Sequence, residues 1–228
     1  MTKHREWVAS AILACLWACG GSPEQATLEQ FFLAARSDDS ATMAAMSAVG
    51  TPGTVESWQV VDVSSESTEP FTLPGLLVEL EAAEKVRDAA LEEGRDYLEE
   101  NQDALDTILR KQKQDPEFKF SGESGEIQEE WAKRVEERKA TEREYKEIER
   151  AVDTVTKLAT KSVVRQVTIE NLDGDVAVTE MLVMLKLEDA DEKPYTVTLR
   201  NYKLSGPGSD RAESSRWVIV DIQEKSPT

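Results

Sequence analysis

The chain has 228 residues, of which 45 are acidic and 27 basic, and its formal net charge is −18. This acidic excess excludes nucleic acid as a partner, because nucleic-acid binding requires a basic surface that neutralises phosphates. His4 is the single histidine, Cys15 and Cys19 are the two cysteines, and all three lie near the N-terminus.

The first residues have the pattern of a secretion leader. Lys3 and Arg5 precede a short apolar run over residues 7–17, and Cys19 follows shortly after. The run is well short of the roughly 20 residues that a membrane-spanning helix needs. We therefore expect a signal peptide over residues 1–18 rather than a transmembrane anchor.

The sequence Leu16-Trp17-Ala18-Cys19 resembles the lipobox of bacterial lipoproteins. The resemblance implies that the leader is cut before Cys19, that Cys19 is lipidated with palmitate, and that the lipid anchors the chain in a membrane. Cys15, after Ile12-Leu13-Ala14, is a weaker second candidate. Gly20 after the cysteine is typical of lipoproteins sent to the outer membrane, which implies an envelope protein facing the periplasm.

Cleavage before Cys19 would leave a chain without histidine or a free thiol. Catalytic triads, cysteine nucleophiles, His-ligated zinc and disulfides all require those side chains and are excluded. Carboxylate, lysine, tyrosine and hydroxyl chemistry remains, but no catalytic motif uses it. The sequence therefore predicts no enzyme activity, no metal site and no cofactor.

The N-terminal part predicts two helices and a strand. Residues 19–25 are expected to form the lipidated tether and the start of a helix, with Ser22 at its N-cap and Pro23 at its first position. An apolar stripe follows, formed by Leu28, Phe31, Phe32 and Ala35. A short helix is predicted over residues 41–49, a strand over 58–63, and a loop over 64–75.

Two long amphipathic helices are predicted next, over residues 79–108 and from residue 126 to about 157. Helix breakers separate them at Asp115-Pro116 and between Gly122 and Gly125. The two helices are expected to fold back on each other as an antiparallel hairpin about 50 Å long, inserted at residues 76–160. The apolar stripe of the second helix is interrupted by Arg138 and Glu142, and a hairpin of this length could also pair with itself in a homodimer.

Phe118 and Phe120 lie in the loop between these helices, on either side of Lys119. If their rings are exposed, they form a partner contact about 50 Å from the rest of the domain. Alternatively, they close the end of the hairpin by packing against Leu109 and Ile127. The sequence favours this second alternative, and the exposed contact is the hypothesis that it leaves open.

Apolar residues alternate with polar ones after residue 161. This pattern predicts a strand containing Val163, Val167 and Ile169, a tight turn at Asp173-Gly174, and then strands over residues 176–184, 195–199 and 217–222. The carboxylates of residues 171–175 could suit a calcium ion, but the loop lacks the distal glutamate of a calcium loop, so a hairpin turn is the better interpretation.

Together these elements predict an α+β fold with N-terminal helices packed on a curved antiparallel meander sheet. Residues 26–75 and 161–224 would form one discontinuous domain that carries the hairpin. The element order, the helix containing Leu28 to Ala35, and the closing strand at residues 216–222 resemble the nuclear transport factor 2-like or cystatin-like cone fold. That family normally has a much shorter helical segment at the position of the hairpin.

The resemblance to this family implies a possible pocket inside the cone. The residues available for it are Trp58, Asp62, Tyr195 and Tyr202, with Asp221 as a further acid. The sequence therefore favours a membrane-anchored envelope protein that binds or scaffolds an envelope partner through its hairpin, without catalysis. The alternative is a small-molecule binding or catalytic cone with the hairpin as a lid.

Overall fold

The computed structural model describes residues 21–209 and 211–225, and within them it combines helices with one antiparallel sheet. The mixed helix-and-sheet class is therefore confirmed. Cys19 and the rest of the predicted leader lie outside the described residues. The helices are α1 (Pro23–Arg36), α2 (Ser40–Met46), α3 (Leu73–Glu100), α4 (Gln102–Gln114) and α5 (Glu123–Ser162). The strands are β1 (Val55–Val63), β2 (Ser67–Pro70), β3 (Asp173–Leu187), β4 (Lys193–Ser205) and β5 (Val218–Glu224).

The sheet is built around the long strands β3 and β4. Its order is β1-β3-β4-β5, and every pairing is antiparallel. The short strand β2 continues along the same edge of β3 as β1, with Ser67 opposite Val178 and Pro70 opposite Asp175. The strands β3 to β5 therefore follow one another as a meander, as predicted.

Two apolar clusters lie on opposite faces of this sheet, because side chains alternate between faces along a strand. Ala177 belongs to the first cluster, whereas its neighbours Val176 and Val178 belong to the second. In the first cluster, α1 packs its predicted stripe against β3 and β4. The helix contributes Leu28, Phe31, Phe32 and Ala35, and the strands contribute Met181, Val183, Leu185, Val197 and Leu199.

The second cluster joins the sheet to the long helices. Tyr202 and Leu204 of β4 meet Leu73 at the start of α3 and Ala159 near the end of α5. Partly buried residues of the same helices pack against it, namely Leu77, Val152, Val155 and Leu158. Both long helices therefore begin or end in a core that they share with the sheet.

The predicted strand over residues 163–169 is wrong. Val163 makes only an isolated bridge to Ser215 within the described residues, and Ile169–Asn171 is a 3-10 helix. The segment instead links α5 to β3 through a 3-10 turn. Val163, Val167 and Ile169 are nevertheless buried or half-buried in the second cluster, which explains why they are apolar at alternate positions, whereas Val164 is exposed.

The predicted turn at Asp173-Gly174 is also wrong, because these residues begin β3 and pair with Ser205 and Leu204. Gly174 has a φ of +146°, and a Cβ there would clash with the carbonyl oxygen of Lys203. Glycine is required at this position by the close approach of β4 rather than by a turn.

Two further boundaries differ from the sequence-based expectations. The predicted loop over residues 64–75 contains β2 and the start of α3. The single helix predicted over residues 79–108 is broken at Asn101, whose side-chain amide donates to the carbonyl oxygen of Tyr97 at 3.0 Å. A polar side chain that bonds the backbone in this way competes with the regular helical pattern.

Candidate functional site

The helices α3 and α5 pack against each other in opposite directions. Glu93 contacts Arg134 and Tyr97 contacts Trp131, whereas the earlier residue Arg87 of α3 contacts the later residue Tyr145 of α5. Together with α4, these helices are called the helical arm below. Because α5 has 40 residues, the arm is about 60 Å long.

An aromatic contact fixes the register of the helical arm. The rings of Tyr97 and Trp131 stack with centroids 6.5 Å apart and planes 9° from parallel. The Tyr97 hydroxyl donates to the carbonyl oxygen of Ile127 at 3.3 Å, and the Arg134 guanidinium lies 4.8 Å from the Tyr97 ring centre. Burial and the nearby Glu130 carboxylate raise the pKa of Tyr97. The phenol therefore stays protonated and able to donate over the physiological range.

Closer to the sheet, the contact between α3 and α5 is more polar. The guanidinium of Arg87 lies 4.1 Å from the ring centre of Tyr145 and forms an ion pair with Asp88 at 2.8 Å. Hydrogen bonding to Asp88 raises the pKa of Arg87 further. A cation at this position fills the space that an apolar residue fills in a regular coiled coil.

Much of the apolar surface of the helical arm is accessible. The buried residue of α3 is Leu73, and those of α5 are Ala159 and Ser162, all at the sheet end. Large apolar side chains of α3 are exposed, namely Val78, Val86, Leu91 and Leu98. Two helices alone cover each other incompletely, so the arm has surface available for a further contact.

At the end far from the sheet, α4 and α5 are joined by residues 115–122, called the distal loop below. Phe118 and Phe120 meet edge to face here, with ring centroids 4.8 Å apart. The Phe118 side chain is 40% exposed, and Leu109 at the end of α4 is 56% exposed. The two predicted contact residues are therefore brought together, and one of them is partly accessible.

Lys111 is the residue of this region that sequence reasoning missed. Its ammonium group lies 5.1 Å from the centre of the Phe118 ring and 5.8 Å from that of Phe120. The sequence signal that could have found it is a lysine placed one or two helical turns before the end of a predicted helix, with aromatic residues in the loop that follows. Its significance depends on how the distal loop folds back onto α4, which the sequence alone does not specify.

The candidate pocket residues do not share one site. Tyr195 is buried in the first cluster, and the partly buried Trp58 packs against the same cluster. Tyr202 is buried in the second cluster, on the opposite face of the sheet. Asp62 is exposed opposite Leu182, and Asp221 is half-buried opposite Thr198. The most pronounced surface grooves of the described residues are lined by other side chains.

In residues 21–209 and 211–225, no helix is long and apolar enough to span a bilayer, and no group of three or more acidic, histidine or cysteine side chains is placed to hold a metal ion. Comparisons of the chain with protein-family models, with curated proteins and with solved structures found no match.

Proposed function

We propose that this chain is a lipid-anchored protein of the bacterial cell envelope that binds or scaffolds a partner through its helical arm, without catalysis. The leader pattern and Cys19 support the anchor, on the outer membrane and facing the periplasm. The observation that carries the binding role is the pair Phe118 and Phe120, which meet at the end of the arm farthest from the sheet, with Phe118 exposed.

In this proposal the helical arm is a hairpin inserted at residues 76–160 into one discontinuous α+β domain with a curved sheet. The antiparallel packing of α3 and α5 supports that interpretation. The exposed apolar residues of α3 leave room for a homodimer through the arm as a second mode of assembly. The domain of residues 26–75 and 161–224 would then hold the arm at a fixed position near the membrane.

The alternative function, a ligand-binding or catalytic cone with the arm as a lid, has less support. It needs polar side chains that converge on one cavity. Asp62 is exposed on a strand, and the side chains of Tyr195 and Tyr202 belong to different apolar clusters.

Crosslinking and pull-down from intact envelopes tests the binding role. We expect the double variant Phe118→Ala/Phe120→Ala to remain folded and membrane-bound but to lose the partners captured by the unmodified chain. The matched control is Leu33→Ala, which removes an exposed apolar side chain from α1 at the sheet end. Loss of partners in the control but not in the distal variant would contradict the proposal.

A shortened arm gives a second test, in which a short glycine-serine loop replaces residues 82–147. This cut keeps Leu77, Val152, Val155 and Leu158, which pack against the second cluster, so the remaining domain retains its core. The proposal predicts that the shortened protein folds, stays on the membrane and captures no arm-dependent partner. An unchanged set of partners would place the function in the α+β domain.

A further inference from the structure

Along most of their contact, the two long helices of the helical arm bury no side chain fully. The described residues of α3 after Leu73 and of α5 before Ala159 are all exposed or half-buried. In α1, by contrast, Leu28, Phe31 and Phe32 are completely buried in the first cluster. Because the free energy that holds two elements together grows with the apolar surface that they cover, α3 and α5 are held together less firmly than α1 is held to the sheet.

Many of the side chains that join α3 to α5 are ones that water also solvates. Arg87 lies on the ring of Tyr145, and Arg134 pairs with Glu93 at 3.5 Å. A groove of about 290 Å³ is lined by both helices, so their packing is incomplete there. When the helices separate, water replaces much of what these polar groups lose, and separation costs less free energy than exposing an apolar core would.

Other contacts of the helical arm act within one helix. Glu81 and Lys85 form an ion pair in α3 at 2.6 Å, and Glu142 and Lys146 form one in α5 at 2.8 Å. Side chains spaced four residues apart support the helix to which both belong. These ion pairs are therefore kept when α3 and α5 move apart, and they contribute nothing to holding the two helices together.

The distal part of the helical arm is packed more closely than its middle. Leu105 and Ile108 of α4 are buried, and Tyr97 of α3 stacks on Trp131 of α5. Because α4 also packs on α5, these apolar contacts have to be broken when the helices separate. They therefore supply most of the free energy that keeps the arm closed, and they form a much smaller core than either apolar cluster of the sheet.

We propose that the helical arm opens and closes as a unit while the rest of the fold stays intact. In the open state α3 and α5 are apart between residues 78 and 150 and unwind in part, because an isolated helix is only marginally stable in water. The hinge lies where Leu77 and Val152 pack against the second cluster. A partner that contacts both helices would favour the closed state, since binding stabilises the state that binds.

Hydrogen–deuterium exchange of the full chain, measured by mass spectrometry of its peptides, tests this opening. Backbone amides of α3 and α5 between residues 78 and 150 should exchange at least about a hundredfold faster than those of β3 and β4. Residues 153–162 are the internal control, because they belong to the same helix but lie at the second cluster, and they should exchange as slowly as the sheet. Uniform exchange along the whole of α5 would overturn the inference.

Two variants show whether the arm opens by itself. Ile219→Val removes one methylene from the first cluster and should accelerate exchange of the sheet about fivefold while the arm is unchanged, because the sheet stays folded in the open state. Acceleration of both by the same factor would show one cooperative unit and overturn the inference. Trp131→Ala should accelerate the arm about fivefold, because the stack with Tyr97 exists only in the closed state. An unchanged arm would show fraying of single helical turns instead, which also overturns the inference.

Discussion

Ser162 is a fully buried polar residue at the point where α5 meets the sheet. Its hydroxyl donates to the carbonyl oxygen of Arg216 at 2.6 Å and accepts the backbone N–H of Tyr202 at 3.1 Å. One side chain therefore joins the end of the helical arm to β4 and to the segment before β5. A buried polar group that is satisfied on both sides fixes the orientation of the elements that it joins.

Replacing Ser162 by alanine should destabilise the fold by about 1–3 kcal/mol, because the Tyr202 N–H and the Arg216 carbonyl would each lose a buried partner. Urea unfolding measures this change. Thr160→Ala is the control, since the exposed Thr160 hydroxyl bonds only within its own helix, and its effect should stay within about 0.5 kcal/mol. Equal effects of the two substitutions would show that Ser162 does not join these elements.

Because its phenol is buried, Tyr202 should make the stability of the fold depend on pH in the alkaline range. Burial raises the pKa of its phenol above the ordinary value of 10.0. A phenol whose pKa is raised by folding stabilises the folded state while pH is below its unfolded value, and this contribution is lost as pH rises through the folded value. Between about pH 8 and pH 11, the free energy of unfolding measured in urea should therefore decrease more for the unmodified chain than for the Tyr202→Phe variant. Parallel losses would contradict this account.

At the scale of elements, the clearest contrast is between two glycines. A Cβ at Gly94, inside α3, would meet no heavy atom within 4 Å apart from its chain neighbours and the backbone of its own helix, whereas one at Gly174 in β3 would meet the backbone of β4. Gly94→Ala should stabilise the protein by about 1 kcal/mol through helix propensity, and Gly174→Ala should destabilise it by more than that. Thermal unfolding of both variants checks the prediction, and a destabilised Gly94→Ala would mean that α5 lies closer to this position.

The sequence predicted elements well where one regular period decides the structure. The stripe of α1 and the alternation in β3 and β4 gave the right element types, because each buries one face continuously. Prediction failed where the same sequence pattern has two possible structural explanations. Asp173-Gly174 is typical of a tight turn, but glycine is needed there because a neighbouring strand lies close. The strand β2 was missed because its four residues are exposed and give no apolar alternation.

The candidate site shows the same limit. Phe118 and Phe120 stood out in the sequence because aromatic residues between helix breakers are unusual in so polar a region. Their contact with Lys111 depends on a loop conformation, and the separation of Tyr195 from Tyr202 depends on which face of β4 each one occupies. Both depend on the tertiary structure and cannot be predicted from a local sequence pattern.

At the scale of the whole molecule, stability and the proposed binding function lie at opposite ends. The two apolar clusters hold the sheet to α1 and to the base of the helical arm. The exposed aromatic and basic side chains lie at the far end of that arm. Substitutions in the distal loop should therefore alter binding while the domain keeps its stability, which makes the binding proposal testable without unfolding the protein.

The most direct test is photo-crosslinking in intact envelopes, with a benzophenone amino acid placed at Phe118 or, as the control, at Leu33 of α1. The two positions are 40% and 49% exposed, so the difference between them reports location rather than accessibility. The proposal predicts strong adducts to a partner from position 118 and weak ones from position 33. Adducts from position 33 with none from position 118 would show that the helical arm does not bind through its distal end.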